Sequence, residues 1–319
     1  MRVFLQKLPW QSWAVGEGLS KVVGGALQKA VGRITSSPEL GFLAFLVSGT
    51  VQMIVGVLGF LKVRSTNRTI SLFPSKAPVL KAISFGFFAT FMTVLGIYTF
   101  QIGADLGVRT LIVASSIIPG ALFDRIFFGG ALGIRHGVGI AIFLFAVWAM
   151  LNFPMNVELE MWVWLTFLIA VAGAINETLT KAVSGTLNIF VNGFWVGSSI
   201  MFFCIGGLLV MGATGDIALS PATLFWIIAV IIGLNATIQI AFKFLAYKTG
   251  KESATIQLKK LIMNSVYLIG VSIVGFLIFS EEWFDGKWVG ILLFPLAFIL
   301  IDNQTWSVTR RLLNLFRNR

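Results

Sequence analysis

The chain carries ten apolar stretches, at roughly 9–31, 40–61, 81–104, 106–127, 133–153, 161–182, 189–212, 222–246, 255–279 and 286–303. Each is about as long as the twenty or so residues that an α-helix needs to cross a bilayer. Lipid offers no hydrogen-bonding partner, so every backbone N–H and C=O must be satisfied within such a segment, and a helix does this. The fold class expected is all-α integral membrane, with ten transmembrane helices. Charged residues make up 12% of the 319, about half the usual share in a soluble domain, which excludes an ordinary soluble enzyme. A single Cys, Cys204, and a single His, His136, exclude a disulfide framework and a Cys/His metal cluster. No metal, cofactor or catalytic residue is expected, and no nucleophile motif is visible.

The net charge of +11 would suggest nucleic acid in a soluble protein. Here its distribution reads as topology. Basic residues gather in alternate connections: Lys62, Arg64, Arg68, Lys76 and Lys81, then Arg125 and Arg135, then five lysines between 243 and 260. The opposite connections hold Asp105, Glu158, Glu160, Asp216, Glu281, Glu282 and Asp285. By the positive-inside rule both termini are cytoplasmic, in a bacterial-type inner (plasma) membrane, and 306–319 form a basic cytoplasmic tail. Glu17 and Lys21 interrupt the first apolar stretch, so it reads as a retained helix and not as a cleaved signal. The partners expected are a small-molecule substrate and membrane lipids, with no nucleic acid. Ten helices can enclose a cavity alone, so a monomer suffices, and a homodimer is compatible.

Self-comparison shows an internal repeat. Residues 15–28 read V-G-E-G-L-S-K-V-V-G-G-A-L-Q, and 175–188, displaced by 160, read I-N-E-T-L-T-K-A-V-S-G-T-L-N. A fainter echo pairs 127–140 with 278–291 at a displacement of 151, around a shared V-G-I. Five spans in each half is an odd number, so the second half enters the membrane from the opposite side. The units expected are two inverted five-helix repeats, 1–155 and 156–305, and such repeats place a substrate site between them near the bilayer midplane.

Residues 13–21, with Trp13 eight positions before Lys21, resemble the opening helix of the drug/metabolite transporter (DMT) superfamily, EamA-like group. The stretch 111–151, with Pro119 in the fourth helix and Gly139 opening the fifth, and Phe279-Ser-Glu-Glu through Gly290 resemble that family's later segments. The resemblance implies a ten-helix, five-plus-five inverted fold, a cavity lined by helices 1, 3, 4, 6, 8 and 9, and movement of small polar or amphipathic metabolites, often outwards. Glu17 departs from the small residues usual at that point.

Ionisable groups inside a membrane are costly and normally face a cavity or a partner. Glu17 and Lys21 lie four apart on one helix face, as do Glu177 and Lys181. A cavity holding both signs suits a zwitterion such as an amino acid, and Glu17 and Glu177 are candidates for proton coupling. The plainer account is two internal salt bridges that fix helices 1 and 6. Trp13, one turn before Glu17, is placed to stack on a substrate or to pack. Gln239 and Asn264 are further substrate-binding candidates because the resemblance puts helices 8 and 9 at the cavity; interhelical hydrogen bonding is their plainer role. Arg109, Lys259 and Lys260 lie near span ends, where snorkelling to headgroups is the expected behaviour. The function expected is a secondary transporter, an exporter working by alternating access; a cation-selective multidrug exporter and a channel are the alternatives.

Overall fold

A computed structural model of the chain describes residues 9–35, 37–128, 133–152, 159–214, 222–250, 256–301 and 306. Among these the regular structure is entirely helical: α1 (Trp10–Ile34), α2 (Pro38–Arg64), α3 (Lys76–Gln101), α4 (Leu106–Ala114), α5 (Ile117–Phe128), α6 (Ile134–Met150), α7 (Met161–Ser184), α8 (Ile189–Thr214), α9 (Thr223–Gly250), α10 (Ile256–Phe279) and α11 (Asp285–Ile301). Among the described residues, seven spans are long and apolar enough to cross a bilayer: α2, α3, residues 106–127, α7, 189–212, α9 and 259–279. Large apolar side chains such as Leu58, Phe202, Leu209, Leu277 and Leu292 are exposed, while Glu17, Arg109, Lys259 and Lys260 are buried. This inverts the partition seen in water and is what a hydrocarbon solvent selects. The chain is an all-α, multi-pass membrane protein.

One expected span is two helices. α4 starts on an Asp105 cap whose carboxylate accepts from the Val108 N–H at 2.8 Å, and it stops at Ser115 and Ser116. Pro119, four residues beyond Ser115, has no N–H for that carbonyl and its ring crowds it, so the α-helical ladder breaks there. The Ser115 carbonyl takes instead the N–H of Ile118 at 2.8 Å, and α5 proceeds.

Close helix pairs build the bundle, and α2 with α8 and α6 with α11 run antiparallel. α2 lies on α8, and α6 on α11; α1 packs on α9 and α10, and α3 on α7. Small residues let the α2 and α8 backbones touch: a Cβ at Gly49 would meet Ile200, one at Gly56 would meet Gly193 and Phe194, and one at Gly207 would meet Phe42. In the second pair, Gly139 faces the Ala297 carbonyl and Ile301, and Gly290 faces the Ala146 carbonyl and Met150. Buried apolar clusters fill the space around α4, α6, α10 and α11, between α2, α3 and α8, and between α1, α2 and α9. Trp162 belongs to the first cluster and is buried, whereas Trp164 and Trp288, also near helix starts, are exposed.

Below, the lower end of the bundle is the one at which α1 begins, and the upper end the one at which it finishes. Trp10, Ala14, Tyr247 and Ile256 form a small cluster at the lower end.

Candidate functional site

A cavity of about 180 Å³ lies between α1, α3, α4, α7, α9 and α10. Its polar wall can be built helix by helix. Along α9, Asn235, Gln239, Lys243 and Tyr247 recur every four residues in a mostly apolar helix, so one stripe is polar while the apolar remainder divides between packed residues such as Phe225 and Ile232 and exposed ones such as Ile227 and Leu234. Gln239 and Lys243 line the cavity, and Asn235 is tied to Ser20 of α1, whose hydroxyl donates to Asn235 Oδ1 at 2.9 Å. Lys260, Asn264 and Tyr267 form the corresponding stripe on α10. Lys21 of α1, Arg109 of α4 and Glu177 of α7 complete the charged lining.

Beneath the cavity floor, toward the lower end, both predicted acids converge on one lysine. Lys259, with no exposed surface, is ion-paired to Glu17 Oε2 and to Glu177 Oε1. Glu177 Oε1 also accepts from the Tyr247 hydroxyl at 2.7 Å, and its Oε2 pairs with Lys243 at 2.9 Å. Lys21 reaches Glu17 Oε1 only at 3.7 Å. The pairs expected within α1 and within α7 are therefore subordinate to a network spanning α1, α7, α9 and α10. Glu17 lies about two turns from the start of α1, and Glu177 about two turns from the finish of α7, so they sit at one level of the bundle.

The predicted residues divide as follows. Lys21, Glu177, Gln239 and Asn264 line the cavity. Glu17 is buried under it. Trp13 packs tilted against Phe242 with ring centroids 5.9 Å apart, and lies outside the lining. Lys181 is half-buried in the last turn of α7, one turn beyond Glu177 and also outside the lining. The expectation that Arg109, Lys259 and Lys260 snorkel outward fails: all three are buried and turned inward. Arg109 donates from Nε to Thr99 Oγ1 at 2.9 Å, stacks over Phe100 and lies beside Tyr267. Lys260 donates to the Ser116 carbonyl and hydroxyl, both at 3.1 Å, and so ties α10 to the α4/α5 break; that carbonyl also accepts the Gly120 N–H at 3.0 Å. Lys243 and Tyr247 are additions; the four-residue polar recurrence in α9 was the signal that could have found them.

At the upper end a second network ties the connections together. Lys29 of α1 is ion-paired to Glu281, and Lys287 of α11 to Asp105 at 2.8 Å. Glu281 Oε1 also accepts from the Leu106 N–H at 2.7 Å. Ser280, in the left-handed region at φ 53°, turns the chain so that Glu281 points into this group, and the Glu281 N–H donates to the Gly275 carbonyl at 3.0 Å. Burial pushes the Glu281 carboxyl above its ordinary value, and the Asp105 charge adds to this, outweighing the hydrogen bond from Lys29. Burial acts on Asp105 in the same direction, but the hydrogen bonds from Lys287 and the Val108 N–H prevail and hold it below the usual range.

Two further facts bear on chemistry. No group of three or more His, Cys, Asp or Glu capable of holding a metal occurs among the described residues. Cys204 is buried.

No family model matches this chain, and no curated protein does. Twenty-eight solved chains match it in structure. One, described only as a crystal structure of a protein, is 13% identical with a TM-score of 0.59, covering 93% of this chain and 99% of its own. That likeness concerns the fold and spans nearly the whole of both molecules.

Proposed function

We propose that the chain is a secondary active transporter of small polar metabolites, an exporter in a bacterial-type inner membrane, working by alternating access between two inverted five-helix units, 1–155 and 156–305. The observation that carries this reading is a buried, charged cavity on the seam between those units. It supports DMT-like transport, in line with the resemblance of the sequence, and it lies inside one chain, so a monomer suffices.

Several features support the inverted repeat. The helix starts Trp10 and Met161, Pro38 and Ile189, and Ile134 and Asp285 are each 151 positions apart, and Leu106 and Ile256 are 150 apart. Contacts recur under the same displacement: Gly139 on Ala297 and Ile301 becomes Gly290 on Ala146 and Met150, and Gly56 on Gly193 becomes Gly207 on Phe42. Contacts that swap partners between antiparallel helices imply a two-fold axis perpendicular to the helices, which is how inverted-topology repeats are related. The displacement of 160 that aligns Glu17 with Glu177 has no counterpart in the helix starts. In this reading α1, α6 and α11 also span. α1 is the least apolar because it carries Glu17, Lys21, Lys29 and Arg33; its neighbours bury Glu17 and Lys29, Lys21 is half-buried and Arg33 is exposed.

A cation-selective multidrug exporter is disfavoured because basic side chains outnumber the one acid in the lining. The test is uptake by purified protein in proteoliposomes of a panel of amino acids, organic cations, organic acids and sugar phosphates, with and without a pH gradient. Saturable movement of at least one class is expected. Flux of every solute equal to that of protein-free vesicles would overturn the reading.

A further inference from the structure

The two charged networks leave a remainder. Counting the cavity lining with the Glu17–Lys259 pair beneath it, Lys21, Arg109, Lys243, Lys259 and Lys260 stand against Glu17 and Glu177. Both oxygens of Glu177 are engaged, by Lys259 with Tyr247 and by Lys243, and Glu17 lies outside the lining. No carboxylate is left to receive the ammonium of a zwitterion. Among the described residues, no carboxylate lies within salt-bridge distance of Arg109 or Lys260, which are 3% and 2% exposed.

These two cations are also 151 positions apart, so they occupy equivalent places in the two halves. Their neighbours correspond too: Lys260 meets Ser116, and Arg109 lies beside Tyr267, again a displacement of 151. Uncompensated positive charge in a low-dielectric wall is costly, and a solute that brings negative charge removes the cost. Asn264 supplies a further donor: it is 4% exposed, it lines the cavity, and its Nδ2 has no hydrogen-bond partner among the described residues.

Resting on the transport reading above, we infer that the solute is a small anion with two or more negative charges on oxygen, a dicarboxylate or a phosphomonoester, held between Arg109 of the first unit and Lys260 of the second. Lys21 and Lys243 supply the remaining field, and Asn264 donates to an anionic oxygen. The guanidinium presents a planar fork suited to carboxylate or phosphate, and the ammonium a point charge. Because each half contributes one cation, the anion bridges the units that must move, and its departure leaves them without their shared counter-charge.

The test uses full-length protein in proteoliposomes with labelled succinate, glycerol 3-phosphate, lactate, alanine and tetraethylammonium. A parallel measurement follows the melting temperature of detergent-solubilised protein with each compound. Saturable uptake of succinate or glycerol 3-phosphate is expected, with a KM at least about tenfold higher in Arg109→Gln and in Lys260→Gln, the size of one lost charged hydrogen bond. Since Lys260 also steadies the helix break, Lys260→Arg is expected to retain uptake. Which of the two solutes moves separates carboxylate from phosphate. Saturable movement of alanine or tetraethylammonium without either dianion overturns the inference and leaves the transport reading standing. Stabilisation by a dianion that is lost in Lys260→Gln, with no flux, keeps the anion site and overturns transport. Neither binding nor flux of any dianion overturns the inference.

Discussion

Lys259 shows how little freedom this site has at the level of single residues. It is fully buried, and its ammonium stands between the carboxylates of Glu17 and Glu177. Replacing it with Met leaves two like charges facing each other out of water, and loss of one partner from a buried ion pair costs about 3–5 kcal/mol. A clear fall in melting temperature is expected for Lys259→Met, and recovery of most of it when Glu17→Gln and Glu177→Gln are added. A melting temperature unaffected by Lys259→Met would show that the three groups do not interact.

At the upper end, Asp105 and Glu281 give opposite pH signs. Asp105, held below its ordinary 3.8, contributes stability that is present above that value and lost as pH falls through its lowered one. Glu281, raised above its ordinary 4.5, contributes stability that is present below that value and lost as pH rises through its raised one. Asp105→Asn should therefore flatten the acid limb of a melting-temperature profile below 3.8, and Glu281→Gln the decline that sets in as pH increases above 4.5, as thermal scans across pH would read directly.

Among the elements, α8 offers a comparison within one helix. A Cβ at Gly197 would run into the Met53 backbone and the Gly49 carbonyl, whereas one at Gly206 meets nothing within 4 Å. Gly197→Ala should separate α2 from α8 and lower the melting temperature. Gly206→Ala should be neutral or stabilising, by up to about 1 kcal/mol from helix propensity. Equal effects would mean that the α2 and α8 backbones are not in contact. The helices themselves were legible: apolar length located them to within a few residues, because a lipid solvent constrains backbone hydrogen bonding so strictly. The break in the fourth span was not inferred, although Pro119 is visible in the sequence. Residues near helix ends were misread for a related reason. Linear distance from a span end suggests that Arg109, Lys259 and Lys260 reach headgroups, but which way each side chain points depends on what packs against its face. Helical spacing carries that information in α9, where Asn235, Gln239, Lys243 and Tyr247 fall on one stripe.

For the whole molecule, the sequence held two candidate displacements for its internal repeat, and the better-looking one did not match the helix starts. At 160 the coincidence of Glu, Lys and Gly is conspicuous because charges are scarce, yet it matches residues at different distances from the starts of α1 and α7. At 151 only V-G-I recurs, but three pairs of helix starts, the glycine contacts and the Arg109/Lys260 pair follow it. In the repeat proposed above, packing geometry is retained where side-chain identity is not, because close helix approach constrains size at a few positions and leaves the rest free.

Alternating access, as proposed, requires the cavity to open to the two ends in turn. A cysteine at Gln239, which lines the cavity, can be introduced into a Cys204→Ser background and labelled with a membrane-impermeant thiol reagent in right-side-out and inside-out vesicles. A short bridging reagent between cysteines at positions 29 and 281 then pins the upper end shut. Alternating access predicts labelling from each side in the unbridged protein and, once bridged, loss of labelling from the upper side with faster labelling from the lower. Labelling from neither side, or a lower-side rate indifferent to the bridge, would contradict it.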